Sequence, residues 1–247
     1  MVIRVAVLEL IGYREWTEAL GSDREWFIQV TQSELYALTQ KIAASHGGHV
    51  LPLRYDYMVI LASNMTRGSL EKVLYHVSGN SSVPVRMASS CGQTPLEAES
   101  RAWDVLRATR PGELTFEECS SEDVAIAHID INDITSMTRE MGASRTYYMV
   151  LDLLHRISRK AYRYGAIVQY LGGDNILATL PTNSYRSVVE DLVSEGDNLK
   201  AGVGYAPRAR EALALAAEAL HEIRSERDKT IVYRTVDSGS RSVATEH

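Results

Sequence analysis

Two hydrophobic rhythms run along the chain: short apolar runs, and longer segments in which apolar residues return every three or four positions. Residues 2–10 form an apolar, β-branched run and read as a strand. A polar, aromatic stretch around Tyr13, Trp16 and Trp26 follows. Thr31-Gln32-Ser33-Glu34 has the form of a capping box, so the pattern predicts a helix opening at Thr31. Leu35, Leu38 and Ile42 give that helix its stripe, and Gly47-Gly48 stops it. Residues 49–53 and 58–62 read as strands joined at Arg54-Tyr55-Asp56-Tyr57. A helix over 69–77, a strand over 83–88, a helix from Pro95 to about Arg107 and an edge strand over 114–116 complete this half.

The second half repeats the order. Residues 124–131 are a strand, and Ser144 is placed to cap a helix with Leu151, Leu154, Ile157 and Ala161 on its face, ending at Gly165. Strands over 167–171 and 176–180 flank Gly172-Gly173-Asp174-Asn175. A helix over 187–193 and a strand over 199–205 come next. Pro207 then precedes a helix with Leu213, Ala217, Leu220 and Ile223 on one face, and residues 230–234 close the half as a strand. Laid on one another without gaps, the halves match Glu9 with Asp130, Thr17 with Thr138, Asp56 with Asp174 and Arg107 with Arg224. Acid falls on acid at both strand-end positions, which points to a duplication. The expected division is a repeat over 1–119, a second over 120–235 and a flexible polar tail over 236–247.

Composition narrows the class. The 247 residues are 45% hydrophobic and 23% charged, ordinary for a globular chain. A net charge of −6 argues against a non-specific partner such as nucleic acid or an anionic membrane. No apolar run is long enough to span a bilayer, and neither Cys91 nor Cys119 belongs to a CxxC pair. Both are expected as reduced thiols, in a cytoplasmic protein.

The candidate chemistry sits where strands end. The run Val124-Ala125-Ile126-Ala127-His128-Ile129-Asp130-Ile131 loses its apolar pattern at Asp130, and Asp174 lies in a tight turn between two extended segments. Two carboxylates on neighbouring strand ends make a seat for Mg²⁺, which takes hard oxygen ligands and leaves room for phosphate. His128 shares Asp130's side of its strand and is a candidate catalytic group. Gly202 and Gly204 inside a strand imply close approach by another backbone, and the tyrosines Tyr147, Tyr148, Tyr162 and Tyr164 read as packing or interface groups.

Asp130-Ile131-Asn132-Asp133-Ile134-Thr135 with the Gly172-Gly173-Asp174 hairpin resembles the palm domain of class III nucleotidyl cyclases and GGDEF-type diguanylate cyclases. Adding the Trp-containing segment after the first strand and Leu199-Lys200-Ala201-Gly202-Val203-Gly204, nearly the whole chain is similar to the archaeal GTP cyclohydrolase III family. The resemblance implies an α+β fold of two tandem ferredoxin-like (βαββαβ) palm repeats, with antiparallel sheets and helices on one face. It also implies hydrolysis of GTP to a formylamino-pyrimidine ribonucleotide with loss of the outer phosphates. Two Mg²⁺ ions, a monovalent activator such as K⁺, and assembly as a homodimer or homotetramer belong to the same expectation. Carried over by position, Asp130 and Asp174 are the metal carboxylates and Ile131 lends its carbonyl. Backbone N–H groups of Asn132, Asp133, Ile134 and Thr135 face the phosphates, with Asn175, Lys200 and Arg224 as further nucleotide contacts. The hairpin departs from GGDEF in reading Gly-Gly-Asp-Asn, and the first repeat has Arg54-Tyr55 where the second has two glycines. A nucleotidyl cyclase and a catalytically silent nucleotide sensor are the alternative readings.

Overall fold

A computed structural model describes residues 1–226 and 229–236, so the tail expectation lies almost wholly outside the described residues. The first repeat runs β1 (Ile3–Leu10), α1 (Tyr13–Ala19), α2 (Glu25–Ser45), β2 (His49–Arg54), β3 (Tyr57–Leu61), α3 (Arg67–Asn80), β4 (Val85–Gly92), α4 (Pro95–Leu106) and β5 (Leu114–Phe116). The second runs β6 (Val124–Ile131), α5 (Ile134–Met141), α6 (Ala143–Arg163), β7 (Ile167–Gly172), β8 (Asn175–Leu180), α7 (Tyr185–Val193), β9 (Leu199–Ala206), α8 (Ala209–Ser225) and β10 (Ile231–Thr235). The sheets have one topology, β2-β3-β1-β4-β5 and β7-β8-β6-β9-β10. In each, four antiparallel strands in ferredoxin-like order carry a fifth, parallel strand at one edge. The tandem ferredoxin-like architecture is thus the one the resemblance implies, with two departures: the fifth strand of each sheet is parallel, and α4 and α8 lie on the face opposite the other packed helices.

Alternation along the central strands separates three cores. On β1, Ala6, Leu8 and Leu10 pack with α2 and α3, whereas Ile3, Val5 and Val7 face α4. On β6, Ala125, Ala127, Ile129 and Ile131 meet α6 and α7, while Val124 and Ile126 join the core between the repeats. The two helices of each ferredoxin-like unit therefore share one face, and the extra helix, α4 or α8, crosses to the other. That inner core draws on both halves, with Leu51, Ala98 and Leu106 packed alongside Leu177, Ala209 and Ala212.

The repeats hold one another through a reciprocal pair of contacts. The carbonyl of Gly47, at the end of α2, accepts the N–H of Arg210 in α8 at 3.0 Å, and the carbonyl of Gly165, at the end of α6, accepts that of Leu96 in α4 at 2.9 Å. Both glycines have positive φ, +86° and +72°, and a β-carbon on either would lie within 2.7 Å of the other repeat's side chains. They terminate a helix and admit the opposite repeat at one stroke.

Several local expectations are corrected. The capping box at Thr31 lies inside α2, which begins at Glu25. No breaker separates Glu25 from Thr31, and Ile28 is buried against the fold, so tertiary packing carries the helix past the local signal. Ser144 lies within α6, whose N-cap is Gly142, and the buried row is Thr146, Val150, Leu153, Ile157 and Ala161, with Leu151 and Leu154 at its margin. On α8 the buried row is Ala209, Ala212, Ala216 and Ala219 together with Leu220 and Ile223, and Ala217 is exposed. Small residues are needed there because β-carbons on Gly202 and Gly204 would come 2.1 and 1.9 Å from the carbonyl oxygens of Ala216 and Ala212. The strand glycines let α8 lie directly on β9, as their positions imply.

The reduced-thiol expectation is also corrected: Cys91 and Cys119 form a disulfide, with Cα atoms 6.5 Å apart and the cysteines 28 positions apart in sequence. β5 pairs parallel with β4, so the chain leaving β5 passes the far end of β4, where Cys91 sits. The spacing conceals this because α4 intervenes. The end of the acidic segment that follows β5 is packed as well, with Glu122 against Arg4 and Asp123 buried. Arg4, 1% exposed, bonds Glu122 at 2.7 Å, Ser89 Oγ at 3.1 Å and the Glu117 carbonyl at 2.7 Å, and stacks on Phe116. No helix among the described residues is long and apolar enough to cross a membrane.

Candidate functional site

Asp130 is the penultimate residue of β6, between Asn175 on β8 and Lys200 on β9 in register. That central position leaves it 3% exposed. A buried carboxylate needs partners. It has two: Lys200 Nζ lies 3.3 Å from one oxygen, and Arg224 Nη2, from the last turn of α8, donates to the other at 3.1 Å. Asp174 occupies the two-residue tip of the β7–β8 hairpin, and its backbone carbonyl accepts the N–H of Ile131 at 3.0 Å. This bond ties the hairpin tip to the end of β6 and brings both acids to one cleft of about 760 Å³.

Ile131, Asn132, Asp133, Ile134, Thr135, Lys200 and Arg224 line the same cleft, as the sequence grouping anticipates. Asp133 adopts φ +63° and starts α5, a helix the sequence pattern does not reveal because none of its residues is fully buried. The Asn132 N–H already bonds the Asn198 carbonyl at 2.8 Å. No side chain caps α5 among the described residues, so the N–H groups of Ile134, Thr135 and Ser136 form its open first turn at the cleft. Such a turn presents donors and partial positive charge to an anion.

Two expected site residues stand elsewhere. His128 and Asn175 are not on the cleft wall; the His128 ring nitrogen Nε2 lies 2.7 Å from Asn175 Oδ1, and the Asn175 amide bonds the Asp174 carboxylate. Conversely, Ser136, Asp197, Lys229 and Thr230 line the cleft without having been singled out. Asp197 and Thr230 precede strands β9 and β10, and only the strand order, which sets β9 beside β6 and β10 next beyond it, shows their relevance.

The donor chemistry suits a hard divalent cation. Asp130, Asp174 and the Ile131 carbonyl offer oxygen alone. Among the described residues, the one close group of three His, Cys, Asp or Glu ligand atoms is Cys91, Cys119 and Glu122, and the disulfide and Arg4 occupy those.

The first repeat has the same frame and different contents. The Leu10 N–H bonds the Asp56 carbonyl at 2.9 Å, the counterpart of Ile131 and Asp174. Glu9, opposite Arg86 as Asp130 is opposite Lys200, accepts from Arg86 Nε at 2.5 Å and from the Tyr57 hydroxyl at 2.9 Å. Burial and the adjoining Glu9 carboxylate push the Tyr57 phenol up to about 12. Arg86 also donates to the Thr109 carbonyl at 3.0 Å, and Asp56 is held by Arg54. The acids of this half are enclosed by the protein's own donors.

Two ferredoxin-like repeats, with an acid-lined cleft at the strand ends of the second, define an α+β protein of tandem repeats. The GTP cyclohydrolase III family model matches residues 3–237, and the chain belongs to that family. It is 56% identical over 224 residues to GTP cyclohydrolase III of Aeropyrum pernix, covering 90% of this chain and 92% of that one. With the Saccharolobus islandicus protein of the same name it is 34% identical over 228 residues, covering 92% and 97%. Among solved structures, the GGDEF domain of the PA2567 protein from Pseudomonas aeruginosa matches 48% of this chain and 89% of its own, at 14% identity and a TM-score of 0.39.

Proposed function

We propose that the chain hydrolyses GTP in the β6 cleft to 2-amino-5-formylamino-6-(5-phosphoribosylamino)pyrimidin-4(3H)-one and phosphate. The observation that carries this reading is the meeting of Asp130 and Asp174 in one cleft with Lys200, Arg224 and the open turn of α5. The cleft volume is of the size that takes a nucleotide. Asp130, Asp174 and the Ile131 carbonyl would hold Mg²⁺, two ions by the family resemblance. When bound, Mg²⁺ neutralises charge on the phosphate chain and makes water more acidic.

The protein's own groups do the rest. Lys200 and Arg224 set two positive charges beside Asp130, and Ile134, Thr135 and Ser136 supply N–H donors for phosphate oxygens. Asn132 and Asp133 add polar side chains on the same wall. Water adds at C8 of guanine, the C8–N9 bond breaks, N9 takes a proton and C8 remains on N7 as the formyl group. Two further waters cut the phosphate chain, one between the α and β phosphorus and one between the β and γ, leaving the 5′-monophosphate and two phosphates. K⁺ activation and a homodimeric or homotetrameric state complete the proposal; exposed Tyr147, Tyr148 and Tyr162 on α6 suit an interface better than internal packing.

Incubation with GTP and Mg²⁺ tests the reading. A formylaminopyrimidine absorbance change with phosphate release is expected, and a cyclic nucleotide product, or binding without turnover, would overturn it. Replacing K⁺ by tetramethylammonium should slow the reaction.

A further inference from the structure

We infer that His128 is a positioning residue that holds the Asp174 carboxylate in place through the side chain of Asn175, a role resting on the metal-site reading above. The hydrogen-bonding capacities fix the direction of the chain. The Asp174 carboxylate can only accept, so the Asn175 Nδ2–H must point toward it. Asn175 then turns its Oδ1 toward His128, and Oδ1 can only accept, so His128 donates from a protonated Nε2 across 2.7 Å. Every donor in the sequence His128, Asn175, Asp174 points one way, and each bond polarises the next.

Strand register builds this geometry. His128 stands opposite Leu177 and Asp130 opposite Asn175, so His128 and Asn175 are diagonal neighbours on one face of the β6–β8 pair. The hairpin tip then places Asp174 next to Asn175. A carboxylate at a two-residue tip has a free χ1 unless something holds it. The imidazole, anchored on the central strand of the sheet, supplies the rigid end.

The first repeat provides the internal comparison. There the positions of His128, Asn175 and Asp174 are taken by Val7, Tyr57 and Asp56. Tyr57 turns to Glu9, and Asp56 is held by Arg54. The relay is present only in the repeat whose acids open onto the cleft. Support of this kind around metal carboxylates is worth 10- to 100-fold in metal affinity.

Direct titration with Mn²⁺ read by electron paramagnetic resonance, without nucleotide, tests the inference on wild type, His128→Val, His128→Gln and Asp174→Ala. His128→Val, which installs the first repeat's residue, should weaken Mn²⁺ binding about 10-fold and raise the Mg²⁺ needed for half-maximal turnover in proportion. KM for GTP at saturating Mg²⁺ should stay within twofold. His128→Gln, able to donate to Asn175, should recover most of the affinity. Wild-type binding by His128→Val while Asp174→Ala loses the ion would sink the relay and leave the metal site standing. Binding untouched by Asp174→Ala would remove both. An equal loss in His128→Gln and His128→Val, with melting temperatures lowered alike, would make His128 a packing residue and also overturn the assignment.

Discussion

Asp130 has almost no contact with water, yet two cations reach it from different elements, Lys200 from β9 and Arg224 from α8. Replacing it with Asn keeps the volume and removes the charge that both cations face. Turnover should fall by about 100-fold or more, the scale of losing one charge-stabilising group from an active site. The fold should persist, because the Arg224 side chain is half exposed to water; unchanged circular dichroism with residual phosphate release measures this. A different residue sets an acid limit on stability. His49, at the start of β2, is half-buried beside Gln40 and Gln169, and desolvation lowers its pKa to about 4 from the ordinary 6.5. The unfolded chain therefore binds the proton between these values, and the folded chain does not. His49 subtracts nothing above pH 6.5, and its cost grows as pH falls through this window, to roughly 3 kcal/mol near pH 4. His49→Gln should flatten the decline in urea midpoint between pH 6.5 and 4.

Among the elements, α8 on β9 is the most exacting contact. A methyl group on Gly204 would overlap the Ala212 carbonyl, backbone against backbone, so the helix must lift. Gly204→Ala should cost about 2–3 kcal/mol in urea unfolding and, by displacing Arg224 in the last turn of α8, weaken GTP binding. An unaltered midpoint would refute that geometry. This contact was readable in advance, because two glycines in an apolar strand have few other uses. The duplication was readable too, since the strand ends carry matched acids in both halves. The start of α2 was not: the capping signal at Thr31 is local, and burial of Ile28 outweighs it, whereas α6 begins only one residue ahead of Ser144. Helix α5 escaped notice for the opposite reason, having no buried residue to mark a stripe. At the site, residues adjacent in sequence to Asp130 were legible, whereas Asp197 and Thr230 reach the cleft only through strand order. The partnership of His128 with Asn175 depends on a diagonal register that no spacing rule displays.

Across the whole molecule, the disulfide closes a loop of 28 residues over α4 and pins the connection between the repeats. Chain-entropy reasoning gives it about 3–4 kcal/mol, so dithiothreitol or Cys119→Ser should lower the melting temperature by several degrees while GTP turnover at moderate temperature is kept. Sedimentation should give a mass of two or four chains, and Tyr148→Glu should shift it downward if that face is shared. The duplication leaves one further mark. In the first repeat Arg86 and Tyr57 already satisfy Glu9 from within, so an incoming nucleotide finds no vacancy to compete for. Calorimetric titration should accordingly saturate at a stoichiometry of one equivalent per polypeptide, and the first repeat's copy of the motif is free to drift in sequence so long as its arginine keeps its acid company.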